Sequence, residues 1–365
     1  MAQRIVVTGG GTGGHLFPGI ALARGLRGRI GDCRVLFIGT PRHLDRETLA
    51  GEKFELATIH CMGLKGMGFI NRLRSFLQLP AALKEAGDIL RQFDPQLVFG
   101  VGGYVTGPVL LAARMQGIPV CIHEQNSVPG LANRMLSRVA NRIFLSMPCL
   151  YRFPEKKTML IGNPVRSEIL EVGKRKEARP GKELTLLVLG GSQGAHRVNM
   201  LVAEALRILA ADYGSTLTVI HQTGKTDAES VRRSYGEFDL RTEVESFFQD
   251  MADIYARADI VVSRAGATTL AELAVLGLPA LLIPYPYAAD NHQLTNARYY
   301  EEGGAARTLP EAELTGITLA AEITALIEDP EERRQMAANM KKMGRPAAAE
   351  RIIDQCLEMM AEVTG

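Results

Sequence analysis

The chain has 365 residues, 46% apolar and 22% charged, a soluble globular composition with more length than one ordinary core organises, so two domains are expected. Aromatic residues make up only 6% and tryptophan is absent; with no known motif beside the basic residues, nucleic acid is not an expected partner. The net charge of +2 hides an asymmetry: residues 1–163 carry 20 basic and 10 acidic side chains, a balance of +10, and residues 164–365 carry 22 and 30, a balance of −8. Either this is a chance partition over two domains, or the first half faces an anionic surface.

The N-terminus leads straight from Gln3-Arg4 into the strand-like residues 5–8, without a leader of charged then apolar residues. No run of about 18 apolar residues follows, so a cytoplasmic protein is expected. Cys33, Cys61, Cys121, Cys149 and Cys356 form no CxxC pair, and the seven histidines form no HExxH. An odd, scattered set suits a reducing compartment, and neither a structural metal nor a cofactor is expected.

Strand candidates in chain order are residues 5–8, 35–39, 97–100, 120–123 and 142–145, then 184–189, 217–222, 260–263 and 280–283. Continuous runs rich in Val, Ile and Leu suit parallel strands covered on both faces, and their alternation with helical stretches indicates βαβ units. The pattern starts twice. Ile5-Val6-Val7-Thr8 opens into Gly9-Gly10-Gly11-Thr12-Gly13-Gly14-His15, and Leu186-Leu187-Val188-Leu189 opens into Gly190-Gly191-Ser192-Gln193-Gly194-Ala195. This predicts two doubly wound domains in tandem, joined near Ile161-Gly162-Asn163-Pro164, with residues 171–182 as a charged surface loop.

The first loop fits GxGxxG through Gly9, Gly11 and Gly14. A dinucleotide site would want an acid where the second strand ends. That strand ends Ile38-Gly39-Thr40-Pro41, which disfavours NAD and FAD. The loop can still bind an anion, because glycines admit close backbone approach and helix N-termini bind phosphate. A third loop, Gly100-Val101-Gly102-Gly103-Tyr104-Val105-Thr106-Gly107, follows another strand. Together the loops can hold a pyrophosphate, although each alone is equally a tight turn. In the second half, Val261-Val262-Ser263-Arg264-Ala265-Gly266 leads into a helix beginning near Ala267. Thr268 and Thr269 can cap it and meet a phosphate. Glu272, about one turn on, either accepts from both ribose hydroxyls or merely complements the helix dipole.

The stretches TGGGTGGHLFP (8–18), GVGGYVTGP (100–108), HEQN (123–126), GNPVR (162–166), GGSQGA (190–195) and SRAGATTLAE (263–272), in this order over both halves, closely resemble the MurG family of UDP-N-acetylglucosamine transferases. The resemblance implies the α/β GT-B fold, two Rossmann-like doubly wound domains facing each other across a cleft. An acceptor-binding, membrane-facing domain would span 1–163 and a UDP-sugar domain 164–346, with a last helix at about 347–360 crossing back onto the first. It implies inverting transfer of N-acetylglucosamine from UDP-N-acetylglucosamine to undecaprenyl-pyrophosphoryl-MurNAc-pentapeptide (lipid I), giving lipid II for the cell wall. The donor site it implies takes Thr12, Gly13, Gly14, Asn126, Arg166, Ser192, Phe248 by its main chain, Ala267, Thr268, Thr269, Leu270, Ala271, Glu272 and Gln293. The acceptor pyrophosphate would meet Gly10, Gly11, Gly102, Gly103 and Tyr104. His292 stands where family members carry a second glutamine.

Such a reaction needs a base near the acceptor hydroxyl and stabilisation of the departing diphosphate. Arg166, Ser192 and the helix after Gly266 suit the second need, and no DxD-type metal site is present. His15, behind the first loop, suits the first, since imidazole titrates near neutrality; alternatively it donates to a phosphate or orients the loop. Glu124 is a second candidate base, or a buried carboxylate tying loops together.

Residues 61–77 interleave Leu64, Met67, Phe69 and Ile70 with Lys65, Arg72 and Arg74. This suits a segment lying in the headgroups of an anionic bilayer, and equally an active-site loop followed by an ordinary amphipathic helix. A peripheral enzyme on the cytoplasmic face of the inner membrane, with cell-wall synthesis proteins as possible partners, is the resulting expectation. Two other readings compete: a UDP-sugar epimerase of the same fold, and a nucleotide-sugar sensor without chemistry.

Overall fold

A computed structural model of the chain describes residues 3–10, 13–41, 49, 51–52, 54–61, 69–175, 183–191, 194–214 and 216–364. The chain divides into two compact units, Met1–Arg166 with Pro346–Gly365, and Ser167–Arg345.

In the first unit the described strands are β1 (Gln3–Thr8), β2 (Cys33–Gly39), β3 (Glu55–Thr58), β4 (Leu97–Gly100), β5 (Val120–Glu124), β6 (Arg142–Leu145) and β7 (Thr158–Leu160). They are all parallel and lie in the order β3-β2-β1-β4-β5-β6-β7. Between them run α1 (Gly13–Arg29), α2 (Phe69–Phe93), α3 (Thr106–Met115) and α4 (Leu131–Leu136). Ile5, Val6 and Val7 are fully buried, as a central strand with helices on both faces requires.

The second unit holds β8 (Leu184–Leu189), β9 (Leu217–Gln222), β10 (Arg241–Glu245), β11 (Ile260–Ser263), β12 (Ala280–Leu282) and β13 (Ala306–Thr308). These are again parallel, in the order β10-β9-β8-β11-β12-β13. Its helices are α5 (Ser167–Arg175), α6 (His196–Tyr213), α7 (Ala228–Tyr235), α8 (Met251–Arg257), α9 (Ala267–Leu276), α10 (His292–Glu302), α11 (Gly316–Glu328) and α12 (Pro330–Met343). The last helix, α13 (Ala348–Thr364), belongs to the first unit. There Ile352, Ile353, Cys356 and Met359 enter the core beside Leu22 and Leu26 of α1, and Arg29 pairs with Asp354 at 3.1 Å. Among the described residues no helix is long and apolar enough to cross a membrane.

The charged stretch 171–182, read as a surface loop, is helical as far as Arg175; residues 176–182 lie outside the described ones. Ile169 and Gly173 give the short α5 a buried face. Gly173 lies so close to α9 that a Cβ would stand 2.7 Å from the Val275 carbonyl oxygen. The strands that the apolar runs did not announce are β3, β7, β10 and β13, which flank the sheets. Such strands bury few side chains and carry sequences such as RTEVE, so they lack the signal.

The core of the second unit encloses a polar chain. His221 is fully buried; its Nδ1 lies 2.7 Å from Tyr235 Oη and its Nε2 3.0 Å from Asn199 Oδ1. Asn199 Nδ2 donates to the Thr223 carbonyl at 2.9 Å and to Asp227 Oδ2 at 2.8 Å. Burial, against the opposing pull of the Asp227 charge, brings the His221 pKa down to about 3. The folded state therefore holds His221 neutral while the unfolded chain takes up its proton below about pH 6.5. Stability is then lost as pH falls from about 6.5 toward 3, by up to about 1.4 kcal/mol per pH unit from this residue. Denaturant unfolding measured across that range should show the decline, and a His221→Gln variant should lose about one proton's worth of slope; an unchanged slope in the variant would contradict the assignment.

Candidate functional site

In a parallel sheet whose strand order reverses, the loops leaving the two strands at the reversal part in opposite directions and leave a crevice at their carboxyl ends. In the first unit that point lies between β1 and β4, which pair from Ile5↔Leu97 to Thr8↔Gly100. The first and third glycine loops leave the sheet there side by side. Thr106 Oγ1 binds them together, donating to the Gly102 carbonyl at 2.8 Å and the Thr8 carbonyl at 3.3 Å. Gly103 has φ +86°, and a Cβ on it would meet the Gly10 carbonyl oxygen at 2.4 Å. Glycine is therefore demanded twice over, by conformation and by space. A Cβ on Gly102 would stand 2.9 Å from His15 Nδ1, so the predicted acceptor glycines and the predicted base are neighbours. Gly13 and Gly14 open α1, and Tyr104, half-buried, follows Gly103 in the third loop. Gly11 and Thr12 lie outside the described residues.

The end of β5 adds the HEQN residues. Glu124 is buried, and both its oxygens are taken: Oε1 accepts from the Asn126 backbone N–H at 3.0 Å and from Asn126 Nδ2 at 3.3 Å, Oε2 from the Gly130 N–H at 3.1 Å and Asn133 Nδ2 at 2.8 Å. Burial raises its pKa against the pull of those bonds. This geometry favours the loop-tying role for Glu124 over proton transfer, and it fixes Asn126. His123 and Gln125, of the same HEQN motif and without a role apparent from sequence, are fully buried beside it. His123 Nε2 lies 3.0 Å from the Gly162 carbonyl, and Gln125 reaches His15. Arg166 stands over the Phe17 ring at 5.2 Å, within the first unit.

In the second unit the reversal lies between β8 and β11, paired from Ile260↔Leu186 to Ser263↔Leu189. The GGSQGA loop leaves β8; Ser192 lies outside the described residues. A Cβ on Gly194, at φ +80°, would meet the Thr223 carbonyl oxygen at 2.5 Å, which again demands glycine. After β11, Gly266 is the N-cap of α9, with no side-chain cap. Thr268 and Thr269, expected as caps, instead lie inside the first turn with Ala267, because the extended Gly266, two residues before Thr268, already holds the cap position. Asn296, buried, donates to the Ala265 carbonyl at 3.2 Å and steadies this start. Leu270 is core, with Ala271 on the next turn.

Glu272 is 5% exposed and accepts from Tyr255 Oη at 2.9 Å. It lies beyond the first turn, so it is not a dipole-complementing acid. Tyr255 escaped the sequence reading, since nothing in α8 marks it as other than core. Phe248 is buried and its N–H donates to Gln222 Oε1 at 3.1 Å, which leaves its carbonyl as the main-chain group to offer a base. Gln293 Oε1 accepts from the Tyr285 N–H at 2.9 Å, so its amide NH2 is the end it can present. The neighbouring His292 donates from Nδ1 to the Ala289 carbonyl at 2.7 Å, closing its own turn.

Of the apolar-basic segment, Leu64, Lys65 and Met67 lie outside the described residues. Phe69, Ile70, Arg72 and Arg74 fall on the first two turns of α2.

Residues 5–145 match the glycosyltransferase family 28 N-terminal domain and residues 185–352 the glycosyltransferase family 28 C-terminal domain. A protein of Desulfotalea psychrophila, named UDP-N-acetylglucosamine--N-acetylmuramyl-(pentapeptide) pyrophosphoryl-undecaprenol N-acetylglucosamine transferase, is 45% identical over 98% of this chain and 97% of its own. A Myxococcus xanthus protein of the same name is 43% identical over 100% of this chain and 94% of its own. Among solved structures, Acinetobacter baumannii MurG superposes with a TM-score of 0.79 at 29% identity, covering 98% of this chain and 99% of that one. A UDP-GlcNAc 2-epimerase from Neisseria meningitidis gives 0.64 at 16% identity over 98% and 100%, a likeness of fold alone. Full-length identity of this order, both domain matches and the MurG superposition give one result: the chain belongs to the MurG family of glycosyltransferase family 28.

Proposed function

We propose that the chain transfers N-acetylglucosamine from UDP-N-acetylglucosamine to undecaprenyl-pyrophosphoryl-MurNAc-pentapeptide, with inversion at C1 and release of UDP. The observation that carries this reading is the end-to-end identity of about 45% with transferases of that name. The epimerase reading has only fold likeness behind it.

In the chemistry we assign, the acceptor hydroxyl attacks C1 of the sugar, its proton passes to His15, and the C1–O bond to the diphosphate breaks. Gly10, Gly11, Gly102, Gly103 and Tyr104 hold the acceptor pyrophosphate with backbone donors at the β1/β4 reversal. Thr12, Gly13 and Gly14 belong to the donor site, and the donor diphosphate meets Ser192, Arg166 and the positive end of α9 at Ala267, Thr268 and Thr269. Leu270 and Ala271 continue that turn. Glu272, held by Tyr255, accepts from the ribose hydroxyls; the Phe248 carbonyl faces the base; Gln293 and Asn126 take the sugar. Glu124 serves by holding Asn126. The enzyme acts as a peripheral protein at the cytoplasmic face of the inner membrane, where residues 64–74 with the +10 half meet anionic lipid, and cell-wall synthesis proteins are its expected neighbours.

His15→Ala should lower acceptor-dependent UDP release by about 10²–10⁴-fold, the range of general base catalysis, while UDP-N-acetylglucosamine binding persists; loss of less than threefold would remove His15 from the chemistry. Glu272→Gln should weaken UDP-N-acetylglucosamine binding by about tenfold, the cost of one charge-assisted hydrogen bond, measured by calorimetry; unchanged affinity would sink the ribose assignment. The protein should bind vesicles containing anionic lipid at low salt and release them as salt rises, with an Arg72→Glu/Arg74→Glu variant bound roughly 10-fold or more weakly, at about 1 kcal/mol per basic residue; a wild type that stays wholly unbound would contradict membrane docking.

A further inference from the structure

Two backbone carbonyls decide the protons of a buried relay that ends on His15. A carbonyl only accepts, so His123 Nε2, 3.0 Å from the Gly162 oxygen, must carry the hydrogen. Ser146 Oγ, 3.1 Å from the same nitrogen, shares it. His123 is neutral at working pH, since complete burial lowers its pKa to about 4. Its Nδ1 is then a lone pair, and it faces Gln125 Nε2 at 3.2 Å. The same Gln125 nitrogen donates to the Val101 carbonyl at 2.7 Å. Both contacts require an NH2 at this end of the amide, so the other end is the oxygen. That Oε1 lies 3.3 Å from His15 Nδ1, and an amide oxygen can only accept. The hydrogen of a neutral His15 must therefore sit on Nδ1, which leaves Nε2 as its basic nitrogen. The contact is long, as catalytic hydrogen bonds often are before substrate binds.

We propose that Gln125 is a positioning residue that holds His15 in its Nδ1–H tautomer, so that Nε2 is the atom that receives the acceptor's proton. The relay Gly162–His123–Gln125–His15 supplies the order, and every member lies in the first unit. Gln125 is 1% exposed and touches no reacting atom in this scheme. Its contribution is to orient the ring, as the carboxylate does for the histidine of a hydrolase triad. The step it serves rests on the assignment of His15 as base.

The test separates those two claims. Nitrogen-15 NMR of histidine-labelled protein reads the tautomer of His15 without any turnover, with His15→Ala supplying the peak assignment. The wild type should show Nδ1–H, and Gln125→Met, of similar length but without the amide, should shift His15 toward the Nε2–H form favoured by a free imidazole. Turnover of that variant should fall about tenfold to hundredfold, with UDP-N-acetylglucosamine affinity within twofold of wild type as the check on folding. Gln125→Glu keeps an acceptor toward Nδ1 and should hold the tautomer. Its carboxylate favours the imidazolium, so the acidic limb of the pH–rate profile should move to higher pH. A wild-type His15 found as Nε2–H, or a tautomer unmoved in Gln125→Met, overturns the proposal. A tautomer that moves while turnover does not would uphold Gln125 and discard His15 as base.

Discussion

In each parallel sheet the strand order reverses, and that reversal decides where each candidate site lies. Strands β1 and β4 in one unit, and β8 and β11 in the other, send their following segments to opposite faces, which places a crevice at the carboxyl ends of each pair. Backbone fills the space immediately beside those ends. Gly103 cannot carry a Cβ because the Gly10 carbonyl is there, and Gly194 cannot because the Thr223 carbonyl is there. Such close-packed glycine loops and helix N-termini suit phosphates, because backbone N–H groups and the helix dipole favour anions. Pyrophosphate chemistry on both substrates is therefore consistent with the topology before any side chain is counted.

Side chains then specify what the backbone only permits, and the two units do it alike. In each, a carboxylate at the crevice is held by a neighbouring polar group: Glu124 by Asn126, Asn133 and Gly130, and Glu272 by Tyr255. Each crevice is also backed by a buried histidine kept neutral by burial, His123 in one and His221 in the other. Neutral histidine can donate and accept at once, which lets it pass hydrogen-bond direction through an apolar interior where a charge would be too costly. The order of those protons matters because a base is useful only if its lone pair faces the substrate.

Much of this was legible in the residues. The apolar runs at 5–8, 97–100, 184–189 and 260–263 mark the four strands at the reversals, because strands buried on both faces leave no polar alternation. The outer strands β3, β7, β10 and β13 were silent for the converse reason. The segment after Glu171 misled, since its charges outnumber Ile169 and hide the one face on which α5 packs. Within the site, glycine loops and charged residues were visible as sequence. Their supports were not: Gln125, Tyr255, Gln222 and Asn296 act by pointing at atoms tens to a hundred positions away. No local spacing encodes such a contact. Thr268 and Thr269 looked like caps because threonine is among the favoured N-cap residues, but the extended Gly266 occupied that position first.

Product analysis decides between transfer and its alternatives. The protein would be incubated with UDP-N-acetylglucosamine, with and without a short-chain analogue of the lipid-linked acceptor, and the sugar followed by NMR at its anomeric carbon. Transfer with inversion gives a β-linked N-acetylglucosaminyl product and one UDP per sugar transferred, formed only when the acceptor is present. An α-linked product, or conversion of the donor without acceptor, would contradict it.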